Sequence, residues 1–384
     1  MRIAIVHDFI IKLGGAEKVL QVLHNIYPDA PICTLLYDKD GTRGVFEKDG
    51  YKIITSSLQK KPAFIRKRSK LLLTKYPQAI EEFNFDDFDV VISSSNSYAH
   101  GIITKPETLH ICYCYSPTRY LWDWHNEYLE ENNISDGILS LFIKSKLSQI
   151  RIWDRLSADR VDTWIAQSKT VQDRIKKYFR KESTIIYPPT DISKIKLNLN
   201  KPKDFYLIVS RLSPYKKIDL AIEAFNKLGL KLYIVGEGSD KSRLENLSRG
   251  ESLAKSNISF LGFVSDEKIY KLMGECKALI FPGIEDFGLT PIETMAAGRP
   301  VIAYKKGGLV ETVVEGKTGT FFEDDTVDSL VVAVKKFEKE IANFKPADCR
   351  AQAEKFSEEI FVDKMKSEVN KQYNIHQNNK SETG

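Results

Sequence analysis

Arg211 and Lys216 stand five residues apart in Ser210-Arg211-Leu212-Ser213-Pro214-Tyr215-Lys216-Lys217, directly after the apolar run Tyr206–Val209. A planar guanidinium fork and a compact ammonium, fixed together at the end of a strand, make a clamp for phosphate oxygens. Taken alone, such a segment is more often a solvated basic turn. A second run changes the balance. Phe281-Pro282-Gly283-Ile284-Glu285-Asp286-Phe287-Gly288-Leu289-Thr290-Pro291 follows another apolar strand, begins as a glycine-containing loop and enters a helix near Pro291, an early-turn proline. Backbone N–H groups at that helix start, aided by the helix dipole, form an anion site. Glu285, ahead of the helix, can accept hydrogen bonds from ligand hydroxyls, and Glu293, about one turn in, can reach a ribose. At ~1.5 Å per helical residue the two Cα atoms stand up to ~12 Å apart, so they do not read as an acid and nucleophile working together.

The elements that position these groups are legible as short apolar runs alternating with helical patterns. In the first half the strands are Ile3–Val6, Ile32–Leu36, Val90–Ser93, His110–Cys114 and Trp164–Ala166. In the second they are Tyr206–Val209, Leu232–Val235, Ile258–Phe263, Ala278–Phe281, Val301–Ala303 and Thr320–Phe322. Runs of this length separated by helices describe parallel strands buried on both faces. Two successive sets predict an α/β protein of two doubly wound domains, 1–190 and 191–357, joined near Tyr187-Pro188-Pro189-Thr190. A last helix over about 358–374 is expected to pack back on the first domain, and the polar tail beyond it to fray. Ligands of open sheets bind outside the carboxyl ends of strands, so a cleft between two facing domains is where chemistry belongs.

Composition bounds the function. The 384 residues carry 57 basic and 52 acidic side chains, net +5, too mild a bias for a nucleic-acid binder. The excess is uneven: Lys60, Lys61, Arg66, Lys67, Arg68, Lys70 and Lys75 crowd together with Phe64, Ile65 and Leu71–Leu73. That mixture suits a helix on an anionic membrane surface as well as a solvated face. The five cysteines, at 33, 112, 114, 276 and 349, show no metal-like spacing and fit a reducing compartment. MRIAIVHDF reads as a strand rather than a signal peptide, and no run spans a bilayer, so a cytoplasmic protein is expected, peripheral on the inner face of the membrane at most.

At this point the sequence resembles the retaining GT-B glycosyltransferases of family 4. Their Glu-x7-Glu signature is matched by Glu285 and Glu293, its core by Phe287 and Gly288, its end by Gly298 and Pro300, followed by Gly307-Gly308-Leu309-Val310-Glu311. The resemblance implies a GT-B fold of two facing Rossmann-like domains with a cleft between them. It implies catalytic roles for Arg211, Lys216 and Glu285, with the two cations on the donor diphosphate. Asp286, Phe287, Gly288, Leu289 and Glu293 would bind the nucleotide-sugar, Gly236, Gly262 and Phe263 would frame the nucleoside, and Gly14-Gly15 after the first strand would approach phosphate and sugar. Taken alone, the Gly14-Gly15 pair is more often a plain turn. One departure concerns Tyr115, which stands where the family commonly has a His; a phenol is a poor base at neutral pH. His7 and His100 read more readily as packed residues than as cleft residues.

The run Ser116-Pro117-Thr118-Arg119-Tyr120-Leu121-Trp122-Asp123 resembles a branch of the family that includes bacterial surface-polysaccharide mannosyltransferases. Tyr115, Arg119, Tyr120 and Trp122 are then acceptor-side candidates, although core and rim aromatics read equally well. The resemblance thus implies transfer of mannose from GDP-mannose to a glycan or lipid-linked acceptor, with the nucleotide-sugar as co-substrate, no cofactor and no metal. A UDP-sugar-dependent transferase, a catalytically silent sugar-nucleotide binder and a nicotinamide oxidoreductase are the alternatives. The last lacks a Gly-x-Gly-x-x-Gly turn after the first strand.

Overall fold

The computed structural model describes residues 1–66, 69–132, 134, 137–249 and 257–383. Lys67 and Arg68 of the basic stretch lie outside the described residues. The chain divides into two compact units, one formed by Met1–Tyr187 with Phe361–Gly384 and the other by Pro188–Ile360.

The first unit holds a seven-stranded parallel sheet of β1 (Ile3–Ile10), β2 (Ile32–Tyr37), β3 (Ile53–Thr55), β4 (Val90–Ser95), β5 (Leu109–Cys114), β6 (Thr163–Ala166) and β7 (Thr184–Ile185). Their spatial order is β3-β2-β1-β4-β5-β6-β7. Side chains alternate between two cores, as a period of two demands: Ile3 and Ile5 enter one, Ala4 and Val6 the other. Edge strands β3 and β7, of three and two residues, escape a reading of apolar runs because they are too short to show one. The final helix, Glu358–Thr383, is longer than expected. Phe361, Met365 and Val369, one turn apart, join the core that holds Ile3, each burial contributing about 1.5–3 kcal/mol. The polar tail remains helical, and Lys380 donates to the Glu107 carbonyl at 2.6 Å.

In the second unit β8 (Tyr206–Val209), β9 (Leu232–Val235), β10 (Ile258–Gly262), β11 (Leu279–Phe281), β12 (Val301–Tyr304) and β13 (Gly319–Phe322) form a parallel sheet ordered β10-β9-β8-β11-β12-β13. Both units are therefore Rossmann-like. In each, the connections wind outward in both directions from one point, between β1 and β4 in the first and between β8 and β11 in the second. Loops leaving those adjacent strands diverge, which opens a crevice at the carboxyl edge.

Candidate functional site

The switch point of the second unit gathers the residues with most chemistry. After β8, Ser210–Ser213 runs into a short 3-10 turn, Pro214–Lys216, that hands over to the helix Ile218–Leu228 through Lys217. Lys217 is left-handed at φ 53°, an uncommon conformation for a residue with a β-carbon. From the neighbouring strand, β11, the loop Pro282–Gly288 comes back over this turn. A β-carbon on Gly283 would meet the Lys216 carbonyl oxygen at 3.0 Å, so glycine lets the two backbones touch. That contact brings Lys216 Nζ onto Glu285 Oε1 as an ion pair, both side chains largely sheltered. Arg211, five residues before Lys216, is exposed and has no carboxylate within ion-pair distance among the described residues. The site thus holds one neutralised cation and one open cation.

Loops after the flanking strands brace this arrangement. The Gly308 N–H donates to the Glu285 carbonyl at 2.8 Å, and a β-carbon on Gly307, at φ 70°, would fall 2.3 Å from the same oxygen. On the other side, Leu212 N–H donates to the Glu237 carbonyl at 3.0 Å, and Gly236 N–H to the Gly262 carbonyl at 2.9 Å. Four loops, after β8, β9, β11 and β12, are therefore locked by backbone contacts, and β10 joins through Gly262. Phe263, one residue further, is 65% exposed and presents an unburied ring.

The helix after the β11 loop begins at Leu289, two residues earlier than Pro291 suggests, with left-handed Gly288 as its cap and no side-chain capping bond. The N–H groups of Leu289 and Thr290 belong to its first turn, where no intrahelical carbonyl is available. Glu293 lies one turn further on the same helix and is half-buried, as is Asp286 in the loop. The Phe287 side chain is 2% exposed with its ring edge-to-face on Phe356, so it anchors the loop.

In the first unit the corresponding switch point lies between β1 and β4. Gly14 caps the helix Gly15–Ile26 without a side-chain bond, and both glycines are exposed. Beside them runs a buried chain of polar contacts. His7 Nδ1 is hydrogen-bonded to Ser94 Oγ at 2.9 Å, Ser94 Oγ to the Tyr115 hydroxyl at 2.8 Å, and that hydroxyl donates to the Ala16 carbonyl at 3.1 Å. Burial pushes the Tyr115 phenol far above its ordinary value. It is a hydrogen-bond bridge between β4, β5 and the helix start, and not a proton acceptor. His7 Nε2 is 3.8 Å from Glu17 Oε1.

Sequence reasoning missed Asp8. Its buried carboxylate accepts backbone N–H groups from Asn96, Ser97, Tyr98 and Ala99 at 2.6–3.1 Å, fixing the loop after β4. An acid beside His7, in a first strand otherwise made of Ile, Ala, Val and Phe, was the available signal.

The acceptor-side candidates are engaged with their own unit. Trp122 stacks on Tyr178 with centroids 4.9 Å apart and donates Nε1–H to Asp154 at 2.7 Å. Tyr120 shares a 2.6 Å hydroxyl contact with Tyr98. Arg119 lies 4.7 Å over the Trp124 ring and 3.6 Å from Asp123. His100 is buried against Ser157 and Asp154. One face of Trp122 is therefore occupied, and these residues form a wall more than an open platform.

All five cysteines are free and buried. Among the described residues no group of His, Cys, Asp or Glu side chains is arranged to hold a metal, and no helix is long and apolar enough to cross a membrane.

Residues 189–356, nearly the whole second unit, match the family described as glycosyl transferases group 1. The chain is 32% identical over 205 residues to the alpha-1,3/1,6-mannosyltransferase ALG2 of Dictyostelium discoideum, covering 47% of this chain and 48% of that one. It is 27% identical over 195 residues to an uncharacterized glycosyltransferase of Methanocaldococcus jannaschii, 50% of this chain and 54% of that one. The chain thus spans about half the length of the curated relatives it matches. In fold it is similar over 97% of its length, and 100% of the other chain, to the Anabaena protein HepE solved with UDP-glucose, at a TM-score of 0.68 and 18% identity. Two parallel-sheet Rossmann-like units, with this likeness over nearly the whole chain, make this the GT-B fold, and the match to the glycosyl transferases group 1 family extends over residues 189–356.

Proposed function

We propose that the protein is a retaining glycosyltransferase that moves mannose from GDP-mannose to a glycan or lipid-linked acceptor in cell-surface polysaccharide synthesis, working at the cytoplasmic face of the membrane. The observation that carries this is the β8–β11 switch point. There an open Arg211, a Lys216 held by Glu285 and the start of the helix Leu289–Ala296 converge on one edge of the sheet. A diphosphate offers charge to both cations, draws Lys216 from Glu285 and frees that carboxylate for sugar hydroxyls. The choice of mannose is supported by the mannosyltransferase relative and by the Ser116–Asp123 run.

Chemically, the bond between the anomeric carbon and the diphosphate oxygen breaks while the acceptor oxygen bonds the same carbon from the same face. The acceptor proton passes to the departing diphosphate oxygen. No protein base is then required, consistent with a Tyr115 held as a hydrogen-bond bridge. Arg211, Lys216 and the helix start stabilise charge growing on the leaving group, each such donor contributing roughly 10²–10³ in rate. The cations supply what a divalent metal supplies elsewhere, so turnover should persist in EDTA. The lipid-linked acceptor fits contact between the basic stretch Lys60–Lys75 and an anionic leaflet.

The test is transfer from GDP-mannose to a lipid-linked glycan, with the product's anomeric configuration read by NMR. The expected product is α-linked, as in the donor. A β-linked product would overturn retention, and absence of transfer from any sugar nucleotide despite nucleotide binding would favour a silent binder.

A further inference from the structure

The helix Ile138–Ser157 wears its apolar residues on the wrong side for a soluble protein. One face is buried in the ordinary way: Leu147 and Ile150 sit in the core under the first sheet, with Ile143 and Trp153 packed against it. Yet Ile138, Leu141, Phe142, Ile152 and Leu156 are 59–89% exposed. At 100° per residue these five fall within one outward stripe about 100° wide, with only Ser145 and Gln149 between them. From Ile138 to Leu156 the stripe runs roughly 27 Å.

Charge decides what covers it. Lys144, Arg151 and Arg155 line one border of the stripe and Lys146 the other, whereas the helix's one acid, Asp154, is buried beneath. Asp159, just beyond the helix, takes the Arg155 guanidinium at 3.2 Å but is shared with Lys181 at 2.9 Å, so that corner stays net positive. A second copy docked about a two-fold axis would set these cationic borders against each other. An anionic lipid surface accepts both the apolar stripe and its rims. In the helix Ala63–Arg66, Ile65 packs on the same core cluster and Phe64 is 66% exposed.

We infer that the helix Ile138–Ser157 is an interfacial membrane-docking element that lies flat on anionic lipid, apolar stripe down. This deepens the lipid-linked acceptor of the function proposed above and is independent of the donor base.

The test is co-sedimentation of the full chain with vesicles of phosphatidylcholine alone and of phosphatidylcholine mixed with phosphatidylglycerol. Wild type should sediment with the mixed vesicles and be released by salt. Phe142→Ser with Leu156→Ser, both solvent-facing, should lower partitioning about tenfold or more. Lys144→Glu with Arg155→Glu should abolish the preference for phosphatidylglycerol. Stabilisation by GDP, which reports the donor site, should be unchanged in both variants, so loss of docking and loss of the donor site are read separately. Wild type that stays in solution, a serine variant that sediments like wild type, or a dimer seen by light scattering that the serine variant breaks would each overturn the proposal.

Discussion

Replacing Glu285 by Gln should weaken the ligand-free protein and tighten its hold on a diphosphate at the same time. Lys216 and Glu285 are paired with side chains 14% and 28% exposed, so each shields the other's charge. Gln keeps the shape and removes the charge, leaving a mostly sheltered ammonium without its counter-ion, at a cost of about 1–3 kcal/mol. A diphosphate restores the missing charge and no longer competes with a carboxylate, so about 1–2 kcal/mol returns on binding, roughly 5–30-fold in affinity. Lys216→Ala has the opposite effect on binding: it also leaves an orphan charge but removes a charge-assisted contact, about 1.5–3 kcal/mol. Arg211→Ala should leave the ligand-free protein within about 0.5 kcal/mol of wild type, since Arg211 is exposed, yet weaken GDP to a similar degree. The assay is thermal or urea unfolding with and without GDP at a fixed concentration. At 100 times the wild-type Kd, GDP adds about 2.7 kcal/mol; a variant tenfold tighter gains about 4.1, and one thirtyfold weaker about 0.9. Transfer should fall in all three variants. A Glu285→Gln protein that loses GDP as Lys216→Ala does would refute the competition argument, because Glu285 would then be holding ligand and not restraining the lysine.

Gly307→Ala combines a left-handed backbone with a β-carbon 2.3 Å from the Glu285 carbonyl, so it should cost about 1–3 kcal/mol and lower transfer more than GDP binding; equal losses in both would show a merely structural effect. Tyr115→Phe removes the bridge from Ser94 to Ala16 but no base, so kcat should fall less than about tenfold, and a loss beyond a thousandfold would restore a proton-transfer role. Burial holds His110 near pKa 3, against an ordinary 6.5. The unfolded chain therefore binds the extra proton between those values: the contribution is intact above about pH 6.5 and is lost as pH falls toward 3, on the order of 2 kcal/mol between pH 7 and 5. His110→Gln should flatten that part of the stability profile, measured by urea unfolding, and an unchanged slope would count against a neutral buried imidazole.

How much of this was legible depends on how local the determinants are. The central strands announce themselves because a strand buried on both faces needs four or more apolar residues in a row, as in Tyr206–Val209 and Leu232–Val235. Ile53–Thr55 and Thr184–Ile185 do not, because edge strands so short need none. The helical tail after Tyr373 has no apolar periodicity; two contacts to the Glu107 carbonyl, from His376 and Lys380, hold it to the first unit. Arg211, Lys216 and Glu285 stood out from residue type and position after strands, and the structure brings them to the β8–β11 switch point. The pairing of Lys216 with Glu285 was not legible, since it follows from β8 lying beside β11. Asp8 escaped because its partners are backbone amides, which carry no residue type. The stacking of Trp122 on Tyr178 is likewise invisible in a run of aromatics.

The measurement that bears most directly on the donor site is calorimetric titration of GDP, UDP, ADP and dTDP into wild type and Arg211→Ala. GDP should bind, the other three should bind more weakly, and the variant should lose affinity about tenfold or more. Heat from none of the four, or binding that Arg211→Ala leaves untouched, would contradict a diphosphate clamp at the β8–β11 switch point.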